Sequence, residues 1–205
     1  MKNIRIVLVI ALIVGFNSCI IVNKDGKEQR EAVVKLSPKP IVPMQEETIR
    51  SEAGDMIVSI PEGWFFVDME SKVSAETIAV ATNPDYNLTA VFKRILPSSN
   101  LDTKYKQDKL KGVAEYSYKQ KATTTNGKCQ LTSDYGEIFA GNLSYGTFTY
   151  SNSGGALTAR TAVLKTDIDN YYEFTLIPTD IKGMSYPTEI EQDNIFKSII
   201  ATMKY

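Results

Sequence analysis

Apolar and polar positions begin to alternate near Asp55, and from there the chain divides into short extended runs and two helical ones. Met56–Ile60 reads as a strand closed by the turn residues Pro61-Glu62-Gly63. Trp64–Val67 resumes extended structure, with Trp64 expected to pack into the core. Thr77–Ala81 is a further strand, stopped by Asn83-Pro84-Asp85. Asn87–Leu96 alternates with period two: Leu88, Ala90, Phe92 and Arg94 share one face, and Thr89, Val91, Lys93 and Ile95 the other.

The period then changes. Ser98-Ser99-Asn100 offers N-cap residues, and Leu101, Tyr105, Leu110, Val113 and Ala114 recur at helical spacing until the signal fades near Lys121. Strand-like runs follow at Cys129–Thr132, Gly136–Phe139, Leu143–Tyr150, Ala156–Thr166 and Tyr171–Ile177. Asn152–Gly155 and Asp167–Asn170 are the turns of an antiparallel meander. A second helix opens at Pro187, where Thr188 and Glu191 are spaced as a capping box. Its apolar stripe is Ile190, Phe196, Ile199, Ile200 and Met203. A helix with such a stripe needs a sheet to cover. The expected class is α+β, an antiparallel β-sheet sandwiched by helices, over residues 54–205.

The N-terminal part has a different pattern. Lys2 and Arg5 precede an uncharged apolar run, Ile6–Phe16, and Asn17-Ser18-Cys19 follows. This is the layout of an export signal. A small residue before Cys just after the apolar run resembles a bacterial lipoprotein signal of the relaxed Bacteroidetes type, with Phe16 and Asn17 departing from the usual Leu and small residue. The resemblance implies that residues 1–19 are a signal peptide, that Cys19 carries a lipid, and that the protein sits in the cell envelope, membrane-anchored at the outer membrane or facing the periplasm. Two alternatives stand beside it. An uncleaved anchor over Ile6–Val22 would be at the short edge of the roughly 17–25 residues a span requires. Ordinary cleavage is the other, although no Ala-x-Ala site is present. Residues 20–53 are charged and then proline-rich, with Pro38, Pro40 and Pro43, and read as a flexible tether.

Three segments resemble the PsbP-type fold, named for an extrinsic subunit of the oxygen-evolving photosystem. They are Ile57-Val58-Ser59-Ile60-Pro61-Glu62-Gly63-Trp64, Tyr171-Tyr172-Glu173-Phe174-Thr175-Leu176, and the end from Phe196 to Tyr205. The resemblance implies an antiparallel sheet between helices over residues 54–205. Members of that family are mostly binding or scaffold proteins, so it also implies a non-catalytic role. The metal-binding histidine of the plant proteins has no counterpart in this chain.

Charge and chemistry narrow the picture. With 23 Lys+Arg, 24 Asp+Glu and no His, the net charge is -1, so neither a nucleic-acid partner nor imidazole chemistry is expected. If Cys19 is lipidated, Cys129 is left unpaired and reads as an apolar strand residue. Asp167-Ile168-Asp169-Asn170 starts like a calcium loop but lacks the later Gly and Glu, so no metal or cofactor is expected. Ser117 and Lys121 stand four apart without a Ser-x-x-Lys pattern, and their spacing is read as chance. The surface feature that remains is the basic helix. Lys104, Lys106, Lys109 and Lys111 offer a docking face for an acidic envelope protein or anionic polymer. The expected function is a non-catalytic binding or assembly module; the alternative is an envelope hydrolase or transferase using carboxylates or Ser/Lys.

Overall fold

Strand-forming runs and helix caps meet in one large sheet covered on both faces. The protein is described here by a computed structural model, over residues 34–37, 39–69, 74–152, 157–183 and 185–205. The expected signal peptide, Cys19, the first part of the tether and most of the turn at Asn152–Gly155 lie outside them. In chain order the elements are β1 (Val34–Leu36), β2 (Met44–Arg50), β3 (Ile57–Pro61), β4 (Phe65–Phe66), β5 (Thr77–Thr82), β6 (Leu88–Ile95), α1 (Ser99–Thr124), β7 (Cys129–Leu131), β8 (Gly136–Ala140), β9 (Leu143–Asn152), β10 (Thr158–Lys165), β11 (Tyr171–Pro178) and α2 (Glu189–Thr202).

The main sheet has the order β1-β8-β9-β10-β11-β6-β5-β4. Strands β8 to β11 form the expected meander, and β11 pairs antiparallel with β6 through Phe174 opposite Phe92. β7 and β8 share one edge of β9, β8 along residues 143–147 and β7 along residues 150–152. β1 joins β8 in parallel, and β2 and β3 form a separate hairpin. The tether expected over 20–53 is therefore corrected at its C-terminal end. Met44–Arg50 is half-buried or exposed except at Ile49, so its local pattern is weak; pairing with β3 makes it a strand.

Alternation in the central strands builds two cores. One face sends Phe92, Ala162, Leu164, Phe174 and Leu176 toward α2 and the β2–β3 hairpin, where Val58, Ile60, Phe196, Ile199 and Ile200 meet them. Trp64, 7% exposed, belongs to this core as expected. The opposite face sends Phe148, Tyr150, Val163 and Tyr171 toward Leu101, Leu110, Val113 and Ala114 of α1. Cys129 is buried there, and burial pushes its thiol upward, against a weaker opposing pull from Lys121.

The helices differ in regularity. In α2 the capping box forms: Thr188 Oγ1 accepts from the Glu191 N–H at 3.2 Å, and the Glu191 carboxylate accepts from the Thr188 N–H at 2.7 Å. Ile190 departs from the expected stripe. It lies in the first turn, 73% exposed, and Gln192 takes the inward position. α1 starts as expected, with Ser98 accepting from the Leu101 N–H, but breaks at Lys109 (φ 52°, ψ -134°). The break brings Gly112 against the Lys104 carbonyl, where a Cβ would lie 2.2 Å from its oxygen. Past Met203 the backbone bridges β3, Lys204 and Ile57 exchanging both hydrogen bonds at 2.9 Å. The Tyr205 hydroxyl then donates to Ser144 O at 2.6 Å and accepts from Ser144 N at 3.0 Å.

Candidate functional site: a cleft between the kinked helix and the sheet

Helical spacing alone places Lys104, Lys106, Lys109 and Lys111 on a continuous helix. The kink divides them. Lys104 is 26% exposed and donates to the Glu115 carboxylate at 2.8 Å, which raises its ammonium pKa. Lys111 is half-buried. Lys106 and Lys109 are exposed, and the Lys109 ammonium lies 5.4 Å from the centre of the Tyr105 ring. Of the four, Lys106 and Lys109 are the exposed ones.

Further along α1 the sheet carries a buried charge. Glu173 lies in β11 between Tyr172 and Phe174, on the face turned to α1. Its Oε2 accepts from the Ser117 hydroxyl, and its Oε1 from the Lys121 ammonium and, at 3.1 Å, from Thr175 Oγ1. Lys121 Nζ also reaches Thr175 Oγ1 at 3.3 Å and stands 5.6 Å from the Tyr150 ring centre. Burial opposes the charge on Glu173. The Lys121 ammonium and the three donated hydrogen bonds outweigh it and hold the carboxyl below its usual range.

These groups form one wall of a cleft of about 450 Å³ between α1 and the end of β6, with Lys93, Arg94 and Tyr116 around it. Lys93 sits directly opposite Glu173 across the β6–β11 ladder.

No protein-family model matches the chain, and no curated protein matches it in sequence. Solved structures do match. Cyanobacterial PsbP from Synechocystis sp. PCC 6803 superposes with a TM-score of 0.56 at 15% identity, covering 80% of this chain and 94% of that one. The fold is PsbP-like. A protein of Bacteroides thetaiotaomicron VPI-5482 aligns with a TM-score of 0.40 at 15% identity, over 78% of this chain and 48% of that one. LpqN of Mycobacterium tuberculosis, a protein involved in cell envelope biogenesis, aligns with a TM-score of 0.46 at 11% identity, over 78% and 90%.

On this PsbP-like frame the cleft can do some things and not others. Ser117 and Lys121 both donate to Glu173, so the hydroxyl proton is directed at the carboxylate, and Glu173 is a weakened base because its charged form is favoured. The cleft can offer cations and hydrogen-bond donors to a ligand. Among the described residues no group of three or more Cys, Asp or Glu could hold a metal ion, and no helix is long and apolar enough to cross a membrane. The spacing of Ser117 and Lys121, taken above as chance, proves to be one helical face turned to Glu173. The signal was the lone acid inside the aromatic run of β11: a carboxylate in a buried strand requires donors, and an i,i+4 Ser/Lys pair supplies them.

Proposed function

We propose that the protein is a non-catalytic module of the cell envelope, tethered through a lipid on Cys19 and capturing an acidic protein or anionic polymer with the exposed lysines of α1. The observation that carries the binding reading is the state of the Ser117–Lys121–Glu173 group. This set has the right residue types for catalysis, yet its carboxylate and ammonium neutralise one another and its hydroxyl donates into the pair. Lys106 and Lys109 stand clear of that pair on the first part of the helix.

The test is capture from envelope membranes by the full chain. Exposed charges act over ~8 Å at physiological salt, so capture of the partner should weaken as salt rises. Lys106→Glu with Lys109→Glu should lower it while the circular dichroism spectrum stays unchanged. A partner indifferent to both treatments removes the lysine face. Cys19→Ala should abolish labelling by a fatty-acid probe, and undiminished labelling removes the tether. The alternative, a hydrolase or transferase built on Ser117 and Lys121, draws on their placement in one cleft. Turnover of an envelope substrate that Ser117→Ala abolishes would establish it instead.

A further inference from the structure

The cleft just described has a larger neighbour on the other face of β6. It measures about 760 Å³, within the range of small-molecule sites, and lies between the end of the β2–β3 hairpin and the β5–β6 ladder. Arg94 borders both. Arg50 and Glu52 form the hairpin side, Ile78 and Leu96 the strand side, and Tyr172 also lines it.

We propose that this cleft binds a small organic oxyanion, a carboxylate or a phosphate ester, held by Arg50 and Arg94. Neither guanidinium has a carboxylate partner among the described residues. A guanidinium suits this role because its planar fork matches both carboxylate and phosphate geometry. Two acids also line the cleft. Glu76 is engaged by the Ser74 hydroxyl and by the charge of Lys93. Glu52 is exposed, as are Arg50 and Arg94, and the acids and arginines of the lining balance, so the anion would be held by guanidinium hydrogen bonds and not by net charge.

The walls are preformed. Asp55, just past the hairpin end, accepts from Ser51 at 2.7 Å, Thr166 at 2.7 Å, Asn170 at 2.9 Å and Tyr172 at 2.6 Å. Asn170 in turn accepts from Arg94 Nη2 at 2.9 Å, so Arg94 is aimed by the same network that fixes the hairpin. One of its five N–H groups is spent there, and the others are available to a ligand. Ile78, Leu96 and the Tyr172 ring supply an apolar surface for an organic body.

The experiment is equilibrium dialysis of the full chain against phenyl phosphate, benzoate and phenol. At least one of the two anions should bind saturably, and which of them binds more tightly identifies phosphate or carboxylate as the preferred group. Phenol should bind at least about tenfold more weakly. Arg50→Ala and Arg94→Ala should each weaken the anion by about tenfold, the range expected when a charged hydrogen bond is lost. Arg94→Lys, which keeps the charge without the fork, should fall between. Failure of both anions to saturate, equal binding of phenol, or unchanged binding by both alanine variants overturns the proposal. Lys106→Glu with Lys109→Glu should leave this binding as it is, so its failure and that of the lysine face are separable.

Discussion

The two faces of the sheet are covered in opposite ways. On one, α2 is a regular helix with a complete capping box, and the core between it and β3 is dominated by Phe196, Ile199 and Ile200 against Phe92 and Phe174. On the other, α1 is broken at Lys109 and places Ser117 and Lys121 over a buried Glu173. The first face gains its stability from the removal of apolar surface from water. The second spends desolvation free energy on an ion pair that apolar residues of similar volume could replace. The contrast teaches where to look for function: each face leaves a polar cleft at its margin, beside the ion pair under α1 and at the end of the hairpin on the other side.

The largest effects should come from truncating each face. Phe196→Ala should cost about 3–5 kcal/mol in urea unfolding through the cavity it leaves. Glu173→Ala should cost toward the lower end of about 3–5 kcal/mol, because it strands Lys121, which retains some access to water. Replacing both partners separates the faces: Glu173→Leu with Lys121→Met should return stability to within about 1 kcal/mol of the parent, or above it. A double variant as unstable as the single one would place the pair among the structural requirements of the fold. Acid sharpens the same contrast. Glu173 and Asp55 are both held below their ordinary carboxyl range. Their stabilisation is therefore complete above the unfolded-state value of about 4 and is lost as pH falls through the folded-state values. Thermal denaturation scanned downward from neutral pH should show this loss, and the double variant should show less of it.

A smaller effect is expected at the helix break. Gly112→Ala sets a Cβ against the Lys104 carbonyl and should cost about 1–3 kcal/mol by overpacking, read as a lower urea midpoint with an unchanged slope. The smallest effect has the opposite sign. Lys109 holds a positive φ that favours glycine, so Lys109→Gly should stabilise by about 0.5–1 kcal/mol. A loss there would mean that the ammonium over Tyr105 outweighs the backbone strain.

Legibility in the sequence follows the same division. The α2 face was readable: Thr188 and Glu191 announce the cap, Phe196, Ile199 and Ile200 the stripe, and period-two alternation in Leu88–Phe92 the sheet beneath. Ile190 fits the spacing but precedes the turn at which the helix meets the sheet, and spacing alone does not fix where contact begins. The α1 face was readable only as a helix. Nothing in Asp108-Lys109-Leu110 marks a left-handed residue, because the break answers tertiary approaches: Gly112 against Lys104, and Gly146 of β9 against the Leu110 carbonyl. β2 was missed for a related reason. Met44–Arg50 follows a proline-rich stretch, buries mainly Ile49, and becomes a strand through its partner. The two arginines of the larger cleft stand 44 positions apart, and only the pairing of distant strands brings them to one place.

Residues 203–205 close the structure from behind every strand, through the Lys204 bridge to β3 and the Tyr205 clasp on Ser144. In a chain made from its N-terminus, β3 waits through the 147 positions between Ile57 and Lys204 for this seal. Contacts of such long sequence separation form slowly, since loop closure precedes their reward. Were the protein exported, as the proposed lipid tether requires, the delay would have a use. The polypeptide would remain a pliable thread while it passed through a narrow channel, and would stiffen into its final shape on the far side.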